Sequence, residues 1–241
     1  MKISVIIPAF NEEKLLPATL ESIRAASAAF LALGWETEWI VCDNNSTDRT
    51  AALAQAGGAR VVFEPQNQIA RARNTGARAA TGDWLVFVDA DSHPTPELFA
   101  DVAQEIQAGR CLAGGATIRI EKHYVGPARM VASWNFLSRT LRWLAGSFIF
   151  CETAAFREIG GFSEKLYASE EIDLSKRLKA LARAGGRTLV ILHRHPILTS
   201  ARKIHLYSAR EHLGFLVRLI FTGGRVLSSR DACHTWYDGR R

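Results

Sequence analysis

Short runs of consecutive apolar residues alternate with longer stretches of helical period through the first ninety residues. Ile3 to Ile7 (ISVII) is an unbroken apolar, β-branched run stopped by Pro8, the pattern of a strand buried on both faces in a parallel sheet. A helix is expected from about 12 to 33, with Leu15, Leu16, Leu20 and Ile23 on one face. A second strand, EWIVC, ends at Asp43, and Ser46 or Thr47 can cap the helix that runs to about Ala56. Gly57-Gly58 ends that helix before a third strand, ARVVF. A helix over about 68–80 and a fourth strand, WLVFV, follow, and Asp89 comes next.

The second half is less regular. Helices are expected over about 94–108, 128–144, 170–184 and 204–221, and strands over 112–120, 148–151 and 188–192. The fold class is α/β, with a mainly parallel central sheet flanked by helices and a helical C-terminal extension. Residues 1–199 read as one domain of two halves, 1–92 and 93–199, with 200–241 as an amphipathic basic extension. Ligands of such sheets bind outside the carboxyl ends of the strands. Asn11 and Glu12, Asp43, and Asp89 with Asp91 stand at three of those ends.

Composition narrows the class. The 241 residues are 48% hydrophobic and 22% charged, with a net charge of +6, an ordinary globular balance that suits an anionic ligand or membrane surface. No basic run or nucleic-acid motif appears, so no nucleic-acid partner is expected. The four cysteines lie far apart without a CxxC pair and read as buried thiols. No apolar run is long enough to span a bilayer, and the first apolar run is too short for a signal h-region. The expected location is the cytoplasm, or peripherally the inner face of a membrane.

Three constellations carry chemistry. Asp89-Ala90-Asp91 follows a buried strand. Its hard carboxylate oxygens suit Mn²⁺ or Mg²⁺ on a diphosphate; the alternative is an Asx turn into the next helix. Pro8-Ala9-Phe10-Asn11-Glu12 is a strand stop and helix start, or a loop whose Phe10 ring stacks on a base. Asp43 can accept the imide N–H of a uracil, whereas Ser46, Thr47 and Asp48 read as capping residues. No GxGxxG follows the first strand and no P-loop is present, which argues against an NAD-binding enzyme.

Taken in order, SVIIPAFNEE from Ser4, CDNNSTDRT from Cys42, ARNTGARAATGDWLVFVDADS from Ala72 and GGFSEKLYASEEIDLSKRL from Gly160 resemble the family 2 glycosyltransferases. The resemblance implies a GT-A, Rossmann-like fold. It implies transfer of a sugar from a nucleotide-sugar donor, usually UDP-linked, to an acceptor hydroxyl with inversion, assisted by Mn²⁺ or Mg²⁺. It also implies that Pro8, Ala9, Phe10, Asn11, Glu12 and Asp43 contact the nucleoside, that Arg73 supports this pocket, that Asp89 contacts ribose or metal, and that Asp91 holds the metal. The family's acceptor-side Glu-Asp pair falls on Glu170-Glu171, a departure at the second position. The general base is then Glu171 or Glu170, with Asp173 behind them; the plainer reading is acidic residues favoured at a helix N-terminus. His193 and His195 are candidate extra metal ligands, and Lys122 and His123 candidates for the acceptor cleft. The acceptor is open among lipid-linked, saccharide and small-molecule hydroxyls. The 204–221 helix either packs on the domain, meets anionic lipid, or makes a dimer contact. The alternative function is a non-catalytic nucleotide-sugar-binding relative acting as a partner subunit, for which the altered Glu170-Glu171 pair speaks.

Overall fold

A computed structural model describes residues 1–120 and 125–200, with residues 227 and 229, leaving the side chains of 125–128 aside. The 204–221 helix, Lys122, His123 and Cys233 lie outside the described residues. In chain order the elements are β1 (Lys2–Ala9), α1 (Leu16–Leu31), β2 (Glu36–Asp43), α2 (Thr50–Ala56), β3 (Arg60–Phe63), α3 (Ile69–Ala79) and β4 (Trp84–Val88). There follow β5 (Ser92–His93), α4 (Pro96–Ala108), β6 (Cys111–Ile120), α5 (Val125–Leu141), β7 (Phe148–Glu152), α6 (Thr153–Glu158), α7 (Glu170–Ala184) and β8 (Thr188–Thr199).

The strands form one sheet in the order β3-β2-β1-β4-β7-β6-β8-β5. β1 pairs in parallel with β2 and β4, β2 with β3, and β6 with β8. β7 runs antiparallel between β4 and β6, and β5 antiparallel to β8. Six strands therefore share one direction, and their carboxyl ends lie along one edge. The alternation of side chains along β1 separates two cores. Ile3, Val5 and Ile7 pack with Val86, Phe148 and Phe150 under α1 and α4. Ile6 packs with Leu85, Phe87 and Ile149 under α3, α6 and α7.

Local chemistry explains the element ends. Thr95 caps α4 by accepting the Leu98 N–H at 3.2 Å, Pro96 occupies the first turn, and Gly109 ends the helix at φ +68°. α3 lies so close to the sheet that a Cβ at Gly76 would sit 2.5 Å from Ile6 Cγ2. Two expectations shift. α2 begins at Thr50, because Ser46 Oγ accepts the Asn11 N–H and the Thr47 N–H is given to Asn11 Oδ1. Asp48 turns back to the Thr50 N–H instead. β8 runs on to Thr199: His193-Arg194-His195-Pro196 bulge out where the register to β6 shifts, and Ile197–Thr199 pair with β6 again, Leu198 and Thr199 also with β5.

Cys42, Cys111 and Cys151 are free and buried, and burial pushes the Cys42 thiol up to about 12 and that of Cys111 to about 11. No helix among the described residues is long and apolar enough to cross a membrane.

Phe87 is fully buried and meets the rings of Phe156 and Phe162 at 5.3 and 5.2 Å. Phe87→Ala is expected to cost about 3–5 kcal/mol in denaturant unfolding. Phe63→Ala, on a 58% exposed ring of the edge strand β3, should stay within about 0.5 kcal/mol.

Candidate active site

The carboxyl ends of β1 and β2 are laced together by hydrogen bonds between their loops. Asn44 N–H donates to Ala9 O at 2.8 Å and Glu12 N–H to Thr50 Oγ1 at 2.8 Å, while within the second loop Ser46 N–H donates to Asp43 Oδ1 at 3.1 Å. Asn11 and Asn45 hold positive φ, 53° and 67°, a backbone form that their short polar side chains tolerate. Ala9, Glu12 and Asp43 are buried and Phe10 and Asn11 half-buried, so the PAFNE and Asp43 segments make one compact wall.

Beside that wall, Arg73 of α3 is the organising side chain. It is 1% exposed. Its Nη1 donates to Glu170 Oε1 at 2.7 Å, and its Nη2 to Asp89 Oδ1 and to Gly146 O, each at 2.9 Å. Its guanidinium stands 5.2 Å over the Phe162 ring. Burial opposes its charge, but Asp89, Glu170 and Glu171 outweigh burial and raise its pKa above the ordinary value. Gly146 is required here, because a Cβ would come within 2.9 Å of Nη2.

Arg73, Asp89, Asp91, Glu170 and Glu171 line one cavity of about 440 Å³. Ile118, Ile120, Met130, Val131 and Trp134 form its apolar wall. Thr199 and Ser200 at the end of β8 complete the rim, where Ser200 N–H donates to Asp91 O at 3.1 Å. Buried Ser147 Oγ, also at the lining, has no hydrogen-bond partner among the described residues.

The two adjacent glutamates differ. Glu170 is buried and bound to Arg73. Glu171 is half-buried, and burial, then the neighbouring Glu170 charge, push its carboxyl up to about 8. Asp173 is turned to Arg177 at 2.6 Å and is absent from the lining. Ser169, immediately before them, is held at φ 61° and gives α7 no side-chain cap.

Of the candidates from sequence, Arg73, Asp89, Asp91, Glu170 and Glu171 meet in this cavity. Pro8, Ala9, Phe10, Asn11, Glu12 and Asp43 form the neighbouring strand-end wall and do not line it. His193 lines a different cleft, and His195 Nδ1 pairs with Asp101 of α4 at 3.0 Å; β8 carries both away from Asp89 and Asp91. Sequence reasoning did not find Gly146, Ser147, Thr199 or Ser200, which sit where strands end without a motif. Among the described residues no group of three or more His, Cys, Asp or Glu side chains could hold a metal by itself. Asp89 and Asp91 bring two hard carboxylates to the cavity. That set suits an ion completed by phosphate and water.

The sequence model described as glycosyl transferase family 2 matches residues 4–159. The chain belongs to glycosyl transferase family 2. An uncharacterized glycosyltransferase of Mycobacterium tuberculosis is 33% identical over 141 residues, 57% of this chain and 60% of the relative. An undecaprenyl-phosphate 4-deoxy-4-formamido-L-arabinose transferase of Pseudomonas aeruginosa is 35% identical over 132 residues, 50% of this chain and 36% of that one. The match thus spans less than two thirds of the first relative and about a third of the second. The Staphylococcus aureus TarS structure (residues 1–349) with UDP-GlcNAc superposes with a TM-score of 0.67 at 20% identity, covering 98% of this chain and 69% of that one. Glucosyl-3-phosphoglycerate synthase of Mycobacterium tuberculosis, with Mn²⁺, UDP and phosphoglyceric acid, gives 0.61 at 22% identity, covering 96% and 78%. The fold is the GT-A fold of this family.

The raised Glu171 pKa carries a pH signature. The folded chain keeps a proton that an ordinary glutamate releases near 4.5. The resulting stabilisation is full below about 4.5 and is lost as pH rises through about 8. In the presence of a chelator, wild-type unfolding free energy should therefore fall across that window relative to Glu171→Gln, measured by urea titration. Parallel pH profiles would contradict the raised pKa.

Proposed function

We propose that the chain transfers a hexosyl group from a UDP-linked donor to an acceptor hydroxyl with inversion, assisted by Mn²⁺ or Mg²⁺. The observation that carries this reading is the Arg73 bridge, which sets Asp89 on one side of a single cavity and Glu170 on the other. Donor-side and acceptor-side carboxylates thereby share one space at the strand ends.

Pro8, Ala9, Phe10, Asn11, Glu12 and Asp43 hold the nucleoside in this reading. The half-buried Phe10 ring offers a stacking face, and Asp43 keeps a second carboxylate oxygen for a base N–H beyond the one given to Ser46. Charge argues for the cation. The described cavity lining carries four carboxylates and one guanidinium, so a diphosphate entering alone would meet net negative charge. Asp91, with Asp89, would hold Mn²⁺ or Mg²⁺. The ion, when bound, neutralises charge on the departing diphosphate.

Glu171 takes the proton of the acceptor hydroxyl, and the freed oxygen attacks the anomeric carbon opposite the diphosphate. One displacement inverts that carbon, and UDP leaves. Glu170 is held by Arg73, whereas Glu171 is raised by burial and the Glu170 charge, so that once ionised it is the stronger proton acceptor of the two. Ser147 Oγ offers a hydrogen bond to a sugar hydroxyl, and the apolar wall formed by Ile118, Ile120 and Trp134 suits the carbon face of a sugar or an apolar aglycone. UDP is supported by the UDP-bound relatives of the same fold, although a mannosyltransferase of Pyrobaculum calidifontis with GDP-Man and Mn²⁺ shares it at a TM-score of 0.65.

The test is UDP release from a panel of UDP-hexoses with candidate acceptors present. Wild type should turn over one of them, and Glu171→Gln should be slower by about 100-fold or more, with UDP affinity within about twofold of wild type. Equal turnover by the variant would remove Glu171 as the base.

A further inference from the structure

The helix α5 leaves large apolar side chains on the side it turns to water. A helix packed on a domain ordinarily buries its apolar stripe and exposes its polar one. Here two polar side chains, Asn135 and Ser138, turn inward instead. Asn135 Nδ2 donates to Ile118 O at 2.8 Å, its Oδ1 accepts the Ile118 N–H at 2.9 Å, and the Ser138 hydroxyl donates to Trp143 O at 2.6 Å. Met130, Phe136, Leu137 and Leu141 turn outward, with Phe136 72% exposed and Met130 53%. Met130, Leu137 and Leu141, at i, i+7 and i+11, share one side of the helix, and Phe136 stands on the exposed arc beside it.

The charge around this face has one sign. Arg129, Arg139 and Arg142 are exposed, and no acidic residue occurs from Val125 to Cys151. Lys179 of α7 donates to Leu141 O at the end of the helix. Burial, and then Arg183, Arg142 and Lys176, lower its pKa, a sign of crowded cations. Arg139 and Arg142 share a cleft with Asp101 and Glu105, but Asp101 is taken by His195, and neither arginine forms an ion pair among the described residues. Met130 belongs both to this outward face and to the cavity wall, so the face adjoins the mouth of the site.

We propose that the outward face of α5 is a docking surface for an anionic lipid bilayer. Phe136, Leu137 and Leu141 enter the interface while Arg139 and Arg142 meet lipid phosphates. The crowded cations disfavour a symmetric contact between two copies through this face, since each would set its arginines against the other's. Docking in this way brings the cavity mouth to the membrane surface, within reach of an amphiphilic acceptor. The inference goes beyond the proposed transfer reaction, and vesicle binding does not depend on it.

The experiment is co-sedimentation of the full chain with phosphatidylcholine vesicles, with and without phosphatidylglycerol. Wild type should bind the anionic vesicles, less so at high salt, and the neutral ones weakly. The double variant Phe136→Ser/Leu137→Ser should bind about tenfold more weakly, and Arg139→Ala/Arg142→Ala should lose the preference for anionic lipid. Unchanged melting temperature and UDP affinity show that fold and donor site persist in both variants. Wild type that stays in the supernatant, variants that bind as wild type does, or a dimer in sedimentation velocity that Phe136→Ser/Leu137→Ser dissolves would each overturn the proposal.

Discussion

A guanidinium with almost no access to water is tolerated only when carboxylates and carbonyls surround it, and Arg73 meets that demand with parts from three places in the chain. Asp89 comes from the end of β4, Glu170 from the start of α7 and the Gly146 carbonyl from the turn before β7. Burying this one charge therefore fixes three elements at a common point. The close approach of α3 to the sheet at Gly76 and the missing side chain at Gly146 serve the same end, by letting the arginine reach it. The site is a consequence of that packing: once Asp89 and Glu170 are tied to one cation, Asp91 and Glu171 stand in the same cavity.

Two neighbouring residues of the same type then acquire different properties. Glu170 is spent on the guanidinium. Glu171, one residue on, is partly shielded from water and sits beside a charged carboxylate, so it retains its proton to a higher pH. No property of the dipeptide itself distinguishes the two. The difference lies in their surroundings: the Arg73 guanidinium binds Glu170, while burial and the Glu170 charge act on Glu171.

Much of the first half was legible because its signals are local. The β1 to β4 runs are continuous and apolar, their polar ends fall on strand ends, and the four motifs stand in order. α4 was legible as a helix over about 94–108 with Pro in its first turn, and the structure adds the Thr95 cap and the Gly109 stop. The rest depends on tertiary pairing. β7 looks like any short apolar strand, and its antiparallel insertion between β4 and β6 follows from where the chain returns. The two-residue β5 and the His-Arg-His-Pro stretch of β8 have no alternation to read. The contribution of Ser147 and Ser200 to the cavity has no motif, since strand ends meet there only in three dimensions. Arg73 was marked by the family pattern, yet its role as the bridge between both halves of the site is visible only in its contacts.

α5 shows the same limit from the other side. The sequence predicts a helix over about 128–144, but which side faces the protein is visible only in the inward contacts of Asn135 and Ser138 and the exposure of Phe136.

The central claim is that the cavity around Arg73 is a metal-dependent site for a nucleoside diphosphate. Calorimetric titration of UDP, with and without Mn²⁺, into wild type and Asp91→Ala tests it most directly. The account predicts binding to wild type that requires Mn²⁺ and is lost in Asp91→Ala. UDP binding that ignores both the ion and Asp91, or no binding under any condition, would contradict it.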